Sequence, residues 1–197
     1  MVWMIMCLLA WIGPALADSL SDARRALDIA DFLNAAKLFR PLAEEGNAEA
    51  QFALAEMYDE GEGVAEDHAQ ALRWYRLAAG QGYAAAQTAL GRIYSTGAVV
   101  SQDFAEAFKW DQLAAQQGVA MAQFELGWLY RMGDGAPRDH VRAYMWFDLA
   151  AQASFVERQR DLFAKTRDQL AAHLTDAQLA QARSAAANCK SAAYRSC

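Results

Sequence analysis

A thirty-six-residue period runs through the middle of the chain and constrains its fold more than any other feature. Gly46, Gly82 and Gly118 mark the period. Ala50-Gln51 returns as Ala86-Gln87 and Ala122-Gln123, and Leu54 returns as Leu90 and Leu126. Tyr58, Tyr94 and Tyr130 keep step, as do Asp67, Asp103 and Asp139, and Trp74, Trp110 and Trp146. Repetition at this spacing means a stacked array in which each unit buries its apolar face against its neighbours. A chain of 197 residues can build a substantial core in that way, and its 55% hydrophobic content argues against disorder.

Each unit divides into two helical stretches. In residues 48–59 the apolar positions Ala50, Ala53, Leu54, Met57 and Tyr58 recur at three- and four-residue spacing, which places one stripe on a helix. Gly61 and Gly63 end it, and Asp67 suits the N-cap of the next helix. Asp103 with Glu106 three residues on predicts a pair resembling a capping box. The tryptophan of each unit is expected to fill the wedge between helix pairs, packed among small alanines.

Asp31–Asn47 reads as a leading half unit that keeps Asp31, Ala35, Phe39, Ala43 and Gly46 in register. The units form the pattern A-x-A-Q-x-x-L-G-x-x-Y-x-x-G-x-G-V, then D-x-x-x-A-x-x-W-Y-x-x-A-A-x-Q-G. That pattern resembles the Sel1-like repeat, a relative of the tetratricopeptide repeat. The resemblance covers Ala48–Tyr83, Ala84–Val119 and Ala120–Phe155. It implies an all-α fold, a right-handed superhelical solenoid of paired antiparallel helices. The organisation expected is residues 1–17 as signal peptide, 18–47 as N-terminal cap with a half repeat, 48–155 as three repeats, and 156–197 as C-terminal helices and tail. A C-terminal helical hairpin is expected over the last unit's apolar face.

Several positions depart from the pattern. Pro41 stands where Leu77, Leu113 and Leu149 stand, and a proline inside a helix predicts a kinked or shortened first helix. Val99 replaces a turn glycine, which predicts a tighter or distorted turn. Asp111 replaces the aromatic of Tyr75 and Phe147, which predicts a solvent-facing edge. Ala153-Ser154 replaces Gln-Gly, so the array is expected to stop there.

Residues 2–16 carry no charge and precede Ala15-Leu16-Ala17, small residues at both positions a signal peptidase reads. Cleavage after Ala17 would deliver a periplasmic or secreted protein; retention as an anchor is the alternative, though the run is short for a span. With that segment removed, Cys189 and Cys197 are the two cysteines left, and they either close a small tail loop or stay as free thiols. Residues 18–156 hold 20 acids and 11 bases, while residues 157–197 hold 4 and 7. An acidic body argues against nucleic acid as the partner.

Chemistry-bearing motifs are scarce. His68 and His140 share a register position with Phe32 and Phe104, which reads as semi-buried packing. The run Glu56, Asp59, Glu60, Glu62, Glu66 and Asp67 reads as a solvated acidic turn, its spacing unlike a calcium loop. No hydrolase elbow, phosphate loop or metal-ligand spacing occurs, so neither a catalytic set nor a metal or other cofactor is expected.

The family resemblance implies a scaffold or adaptor that holds a protein or peptide on its inner face. Trp128 falls where Glu56 and Arg92 fall in the other units, and lies one helical turn after Phe124. Phe124, Trp128 and Arg131, with Phe52 and Arg92 on the same ribbon, form the candidate partner-binding patch; the alternative for the aromatics is packing. Two other classes stay open: a cell-envelope hydrolase and a self-associating structural module. The cysteine-rich β-lactamase-like members of the resembled family carry a cysteine pair per repeat, and this chain has none between Leu8 and Asn188.

Overall fold

The computed structural model describes residues 13–194 and 197, with side chains from Ser19 onward. Residues 1–12, most of the segment expected as a signal peptide, lie outside the described residues, and the backbone of 13–17 belongs to the first helix. Ten helices and no strand occur among the described residues. They are α1 (Gly13–Asp28), α2 (Phe32–Glu44), α3 (Ala48–Glu60), α4 (His68–Gly80), α5 (Ala84–Thr96), α6 (Phe104–Ala115), α7 (Ala120–Met132), α8 (His140–Ala153), α9 (Glu157–Ala171) and α10 (Asp176–Ser191). The chain divides into two compact units, Met1–Tyr83 and Ala84–Cys197.

In the first unit each helix packs on the next, from α1 through α4. Side-chain oxygens start the helices: Asp31 accepts from the Asn34 amide, Asn47 from Ala50, and Asp67 from Ala69 and Gln70. Each such cap is worth about 1 kcal/mol. At the other end of α3, Gly61 takes the left-handed conformation and its N–H returns to the Met57 carbonyl. Pro41 leaves α2 its full length of 13 residues, the same as α4, so the expected shortening is absent. The proline sits at an exposed position in the last turn, and the end of that helix is secured from outside: Gln51 Nε2 donates 3.0 Å to the Ala43 carbonyl.

The second unit repeats these devices. Asp103 accepts from Ala105 and Glu106 amides, and Asp139 from Arg142. Glu106 does not close the reciprocal half of a capping box; its carboxylate takes the Trp110 indole N–H at 3.1 Å and Lys109 at 3.3 Å. The long side chain reaches the next turn of its own helix more readily than it folds back.

Val99 does not distort its loop, contrary to expectation. The α5–α6 connection has the length of its counterparts, and positive φ falls on Gly97 while Val99 keeps an ordinary backbone. In the other two loops the matching glycine makes a close approach. A Cβ on Gly63 would lie 2.1 Å from the Phe32 carbonyl oxygen, and one on Gly135 equally close to that of Phe104. Those turns nest directly on the start of the preceding second helix.

The C-terminal helices do not form a simple hairpin. The main neighbour of both α9 and α10 is α8, where Phe163, Leu170, Ala182 and Ala186 are buried. Trp146 and Phe147 at 1% and 0% exposure anchor that core, each worth about 1.5–3 kcal/mol in burial. Trp74 is also buried, whereas Trp110 is half-buried.

Candidate functional site

Helix α7 carries three of the five candidate residues. Val119 precedes it without a side-chain cap, and Gly133 closes it in the left-handed conformation. Between them, Phe124 and Trp128 share a face because they stand four residues apart. Their fates differ. The Phe124 ring stacks on Phe163 of α9 at 4.3 Å and tilts against Phe147 at 5.3 Å, and only 8% of the residue is exposed. Phe124 therefore belongs to the core, a correction to its reading as a partner contact. The residue that hides it, Phe163, lies beyond the repeats, where no register marks it.

Trp128 keeps a partly open indole. Its ring meets Phe124 edge-on at 6.2 Å and Phe147 at 5.7 Å, so one side is anchored. The Arg131 guanidinium lies 4.7 Å from the indole centroid, a cation–π contact one turn along. A rigid, half-buried indole with an arginine over it has the chemistry of an interaction hot spot.

Of the other two candidates, Phe52 belongs to the first unit and Arg92 to the second. Phe52 is half-buried in the first unit between Tyr75 at 5.8 Å and Tyr83 at 5.3 Å. Arg92 is exposed on α5, where its carbonyl accepts the hydroxyls of Ser95 and Thr96.

His68 and Asp111 both depart from their expected surroundings. His68 is exposed, not semi-buried: Asp59 Oδ1 stands 2.9 Å from Nδ1 and Glu66 3.3 Å from Nε2. Two carboxylates of the acidic turn hold it at the surface, where a phenylalanine would turn inward. Asp111 is the opposite case. It is 1% exposed, and its Oδ1 finds no hydrogen-bond partner. Burial, with the Glu125 charge in support, pushes its carboxyl up to about 8. Its expected solvent-facing edge is overturned because position 111 points inward in every unit. Gly91 clears the space: a Cβ there would lie 2.0 Å from Asp111 Oδ1.

The repeated glutamines join successive helices. Gln51, Gln87 and Gln123 are all buried. Gln51 and Gln123 donate to the Ala43 and Ala115 carbonyls, tying a first helix to the end of the helix before it. Gln81 and Gln117 return a bond of 2.7 Å to Gln51 and Gln87. Ala153 holds that place in the last repeat, and Gln123 Oε1 is left unsatisfied.

Cys189 and Cys197 are joined in a disulfide, with Cα atoms 5.2 Å apart. The tail turn they close brings Tyr194 against Gly118, where a Cβ would meet the ring at 3.2 Å. Among the described residues no group of three or more His, Cys, Asp or Glu side chains could hold a metal ion, and no helix is long and apolar enough to cross a membrane.

Comparison with known proteins bears on this arrangement. The family model for the Sel1 repeat matches residues 48–83, 84–119 and 120–155. Among solved structures, a Sel1 repeat protein from Oxalobacter formigenes is 31% identical with a TM-score of 0.66, covering 70% of this chain and 55% of its own. A protective antigen present in uropathogenic Escherichia coli strains, displaying an SLR fold, is 32% identical with a TM-score of 0.55, covering 82% of this chain and 42% of its own. The chain thus spans about half the length of these relatives. No curated protein matches it.

Proposed function

The chain belongs to the Sel1 repeat family, whose members are generally protein–protein interaction modules, and from that premise we propose that it is an extracytoplasmic adaptor holding a protein or peptide partner. The observation that carries the proposal is the half-buried Trp128 under Arg131. Phe124 and Phe147 already immobilise the indole, so a partner docking on it meets a preformed surface and little ordering entropy is lost on binding. The apolar leader, with small residues before Asp18, and the Cys189–Cys197 disulfide support a location outside the cytoplasm.

Affinity capture from the source cell's envelope fraction tests the reading, with Trp128→Ala and Arg131→Gln run beside the parent chain. Trp128→Ala is expected to lower capture about tenfold or more, as truncation of a hot-spot tryptophan does. Arg131→Gln, which leaves the core untouched, should weaken capture without lowering the melting temperature. Undiminished capture by both variants would remove Trp128 as the carrying residue, and loss of the helical circular dichroism in Trp128→Ala would place it in the core instead.

A further inference from the structure

Three cavities of about 400, 300 and 510 Å³ surround the start of α8 in the second unit. They share lining residues, and together they are called the trench below. Asp139 borders all three, Arg142 the first and third, and Arg138 the second and third. The trench runs from Phe108 and Gln112 on α6, past Tyr130, to Gln178 and Gln181 on α10. The disulfide cysteines wall its far end. Each volume falls within or near the range of pockets that seat side chains and small ligands.

The charge inside is distinctive for a chain of formal charge −6. Two guanidinium groups line the trench, and Asp139 carries the single side-chain carboxylate among its described lining residues. That carboxylate is committed: it caps α8 through the Arg142 amide and lies 3.5 Å from Arg142 Nε. Arg142 Nη1 donates to the Tyr130 hydroxyl at 3.3 Å, which fixes the guanidinium across the trench floor. Arg138 is exposed and, among the described residues, donates to a neutral partner, the Met132 carbonyl at 3.4 Å. Arg138 thus has no side-chain carboxylate partner among the described residues, and it stands beside Ala136 and Pro137 in the cavity that Phe108 also lines, with side-chain amides nearby.

We propose that this trench binds an acidic segment of a partner protein, its carboxylates against Arg138 and Arg142 and its intervening apolar side chains against Phe108 and Pro137. Arginine suits the task because its planar fork pairs a carboxylate through two parallel hydrogen bonds. Gln112, Gln178 and Gln181 are placed to bond the peptide backbone of an extended chain. The proposal rests on the protein-binding reading of the chain and adds a second surface remote in chemistry from the Trp128 face.

The test is fluorescence anisotropy with the whole chain and a labelled hexapeptide alternating glutamate with leucine, beside a counterpart carrying lysine for glutamate. The glutamate peptide is expected to bind and the lysine peptide not to. Arg142→Gln should weaken binding about tenfold, Arg138→Gln at least about threefold, and raising salt to about 0.5 M should do likewise. Arg138→Gln changes an exposed side chain, so its melting curve should match the parent and its result stays interpretable if Arg142→Gln unfolds. Trp128→Ala should leave peptide binding unchanged. Equal binding of both peptides, no effect of either arginine substitution, or no binding of the glutamate peptide at millimolar concentration overturns the proposal. A light-scattering mass that doubles in the parent and falls in both arginine variants would assign the trench to a second copy and also overturn it. If the peptide arm fails while Trp128-dependent capture persists, the trench falls and the adaptor reading stands.

Discussion

At position 111 an aspartate occupies a place that Tyr75 and Phe147 fill with rings, and the surrounding helices keep it buried. Burial above all, with the Glu125 charge second, pushes the carboxyl up to about 8 from its ordinary 3.8. Glu125 is itself raised by burial. Below about pH 4 folded and unfolded chains both hold the proton, and folding carries no penalty. Between about pH 4 and 8 the unfolded chain releases a proton that the folded one retains, so stability falls as pH rises, by up to about 1.4 kcal/mol per unit, and levels off above 8. Asp111→Asn keeps the shape and is expected to flatten that slope in melting temperatures recorded from pH 4 to 9. Asp111→Phe should raise the melting temperature at pH 7, because Gly91 opposite it matches the Gly127 that accommodates Phe147. A slope unchanged in Asp111→Asn would show that another group titrates. The substitution itself was visible in sequence; its burial was not, since an aspartate reads as an exposed edge until the packing of α5 and α6 is known.

Among the elements, the glutamine ties and the glycine turns decide how one helix pair meets the next. Gln123 lacks the donor that Gln81 and Gln117 provide to its counterparts. Ala153→Gln is expected to restore that bond and stabilise the second unit by about 1 kcal/mol, read as a rise in denaturation midpoint. Parity with the parent would mean that the end of α8 has no room for the side chain. The nested turn offers a contrast in the other direction. Gly135→Ala places a methyl 2.1 Å from the Phe104 carbonyl at a φ of +73°, whereas Gly46, at +95°, has nothing within 4 Å of its would-be Cβ. Gly46→Ala should cost about 1 kcal/mol, the backbone term alone, and Gly135→Ala about twice that or more. Equal losses in urea titration would refute the nesting contact. Helix boundaries and caps were legible from Asp67, Asp103, Asp139 and the turn glycines. The route of α9 was not, because Phe163 belongs to no repeat and its stacking on Phe124 is a contact between distant positions.

For the whole molecule, charge and cross-linking separate the two units. Residues 1–83 hold 13 acids and 6 bases, and residues 84–197 hold 11 and 12, so the acidity lies in the first unit and the arginine trench in the second. The disulfide ties the tail of the second unit to α10 across a separation of 8 residues. Loop-closure entropy for so short a loop is worth about 2–3 kcal/mol. Cys197→Ser is therefore expected to lower the second unit's melting temperature by several degrees, and a dithiol reductant should do the same to the parent but nothing further to the variant. A parent chain indifferent to reduction would show that the tail turn holds without its bond. The sequence by itself determined the helical repeat, its period, its caps and its family, because these follow from local spacing of apolar residues, glycines and aspartates along one chain. Only the tertiary structure decided which of the singled-out side chains stay at the surface: it withdrew Phe124 under α9, left Trp128 half-buried, and brought Arg138 and Arg142, from a loop and a helix, to the walls of one cavity. Availability depends on what packs from remote parts of the chain, and no local pattern of residues carries that information.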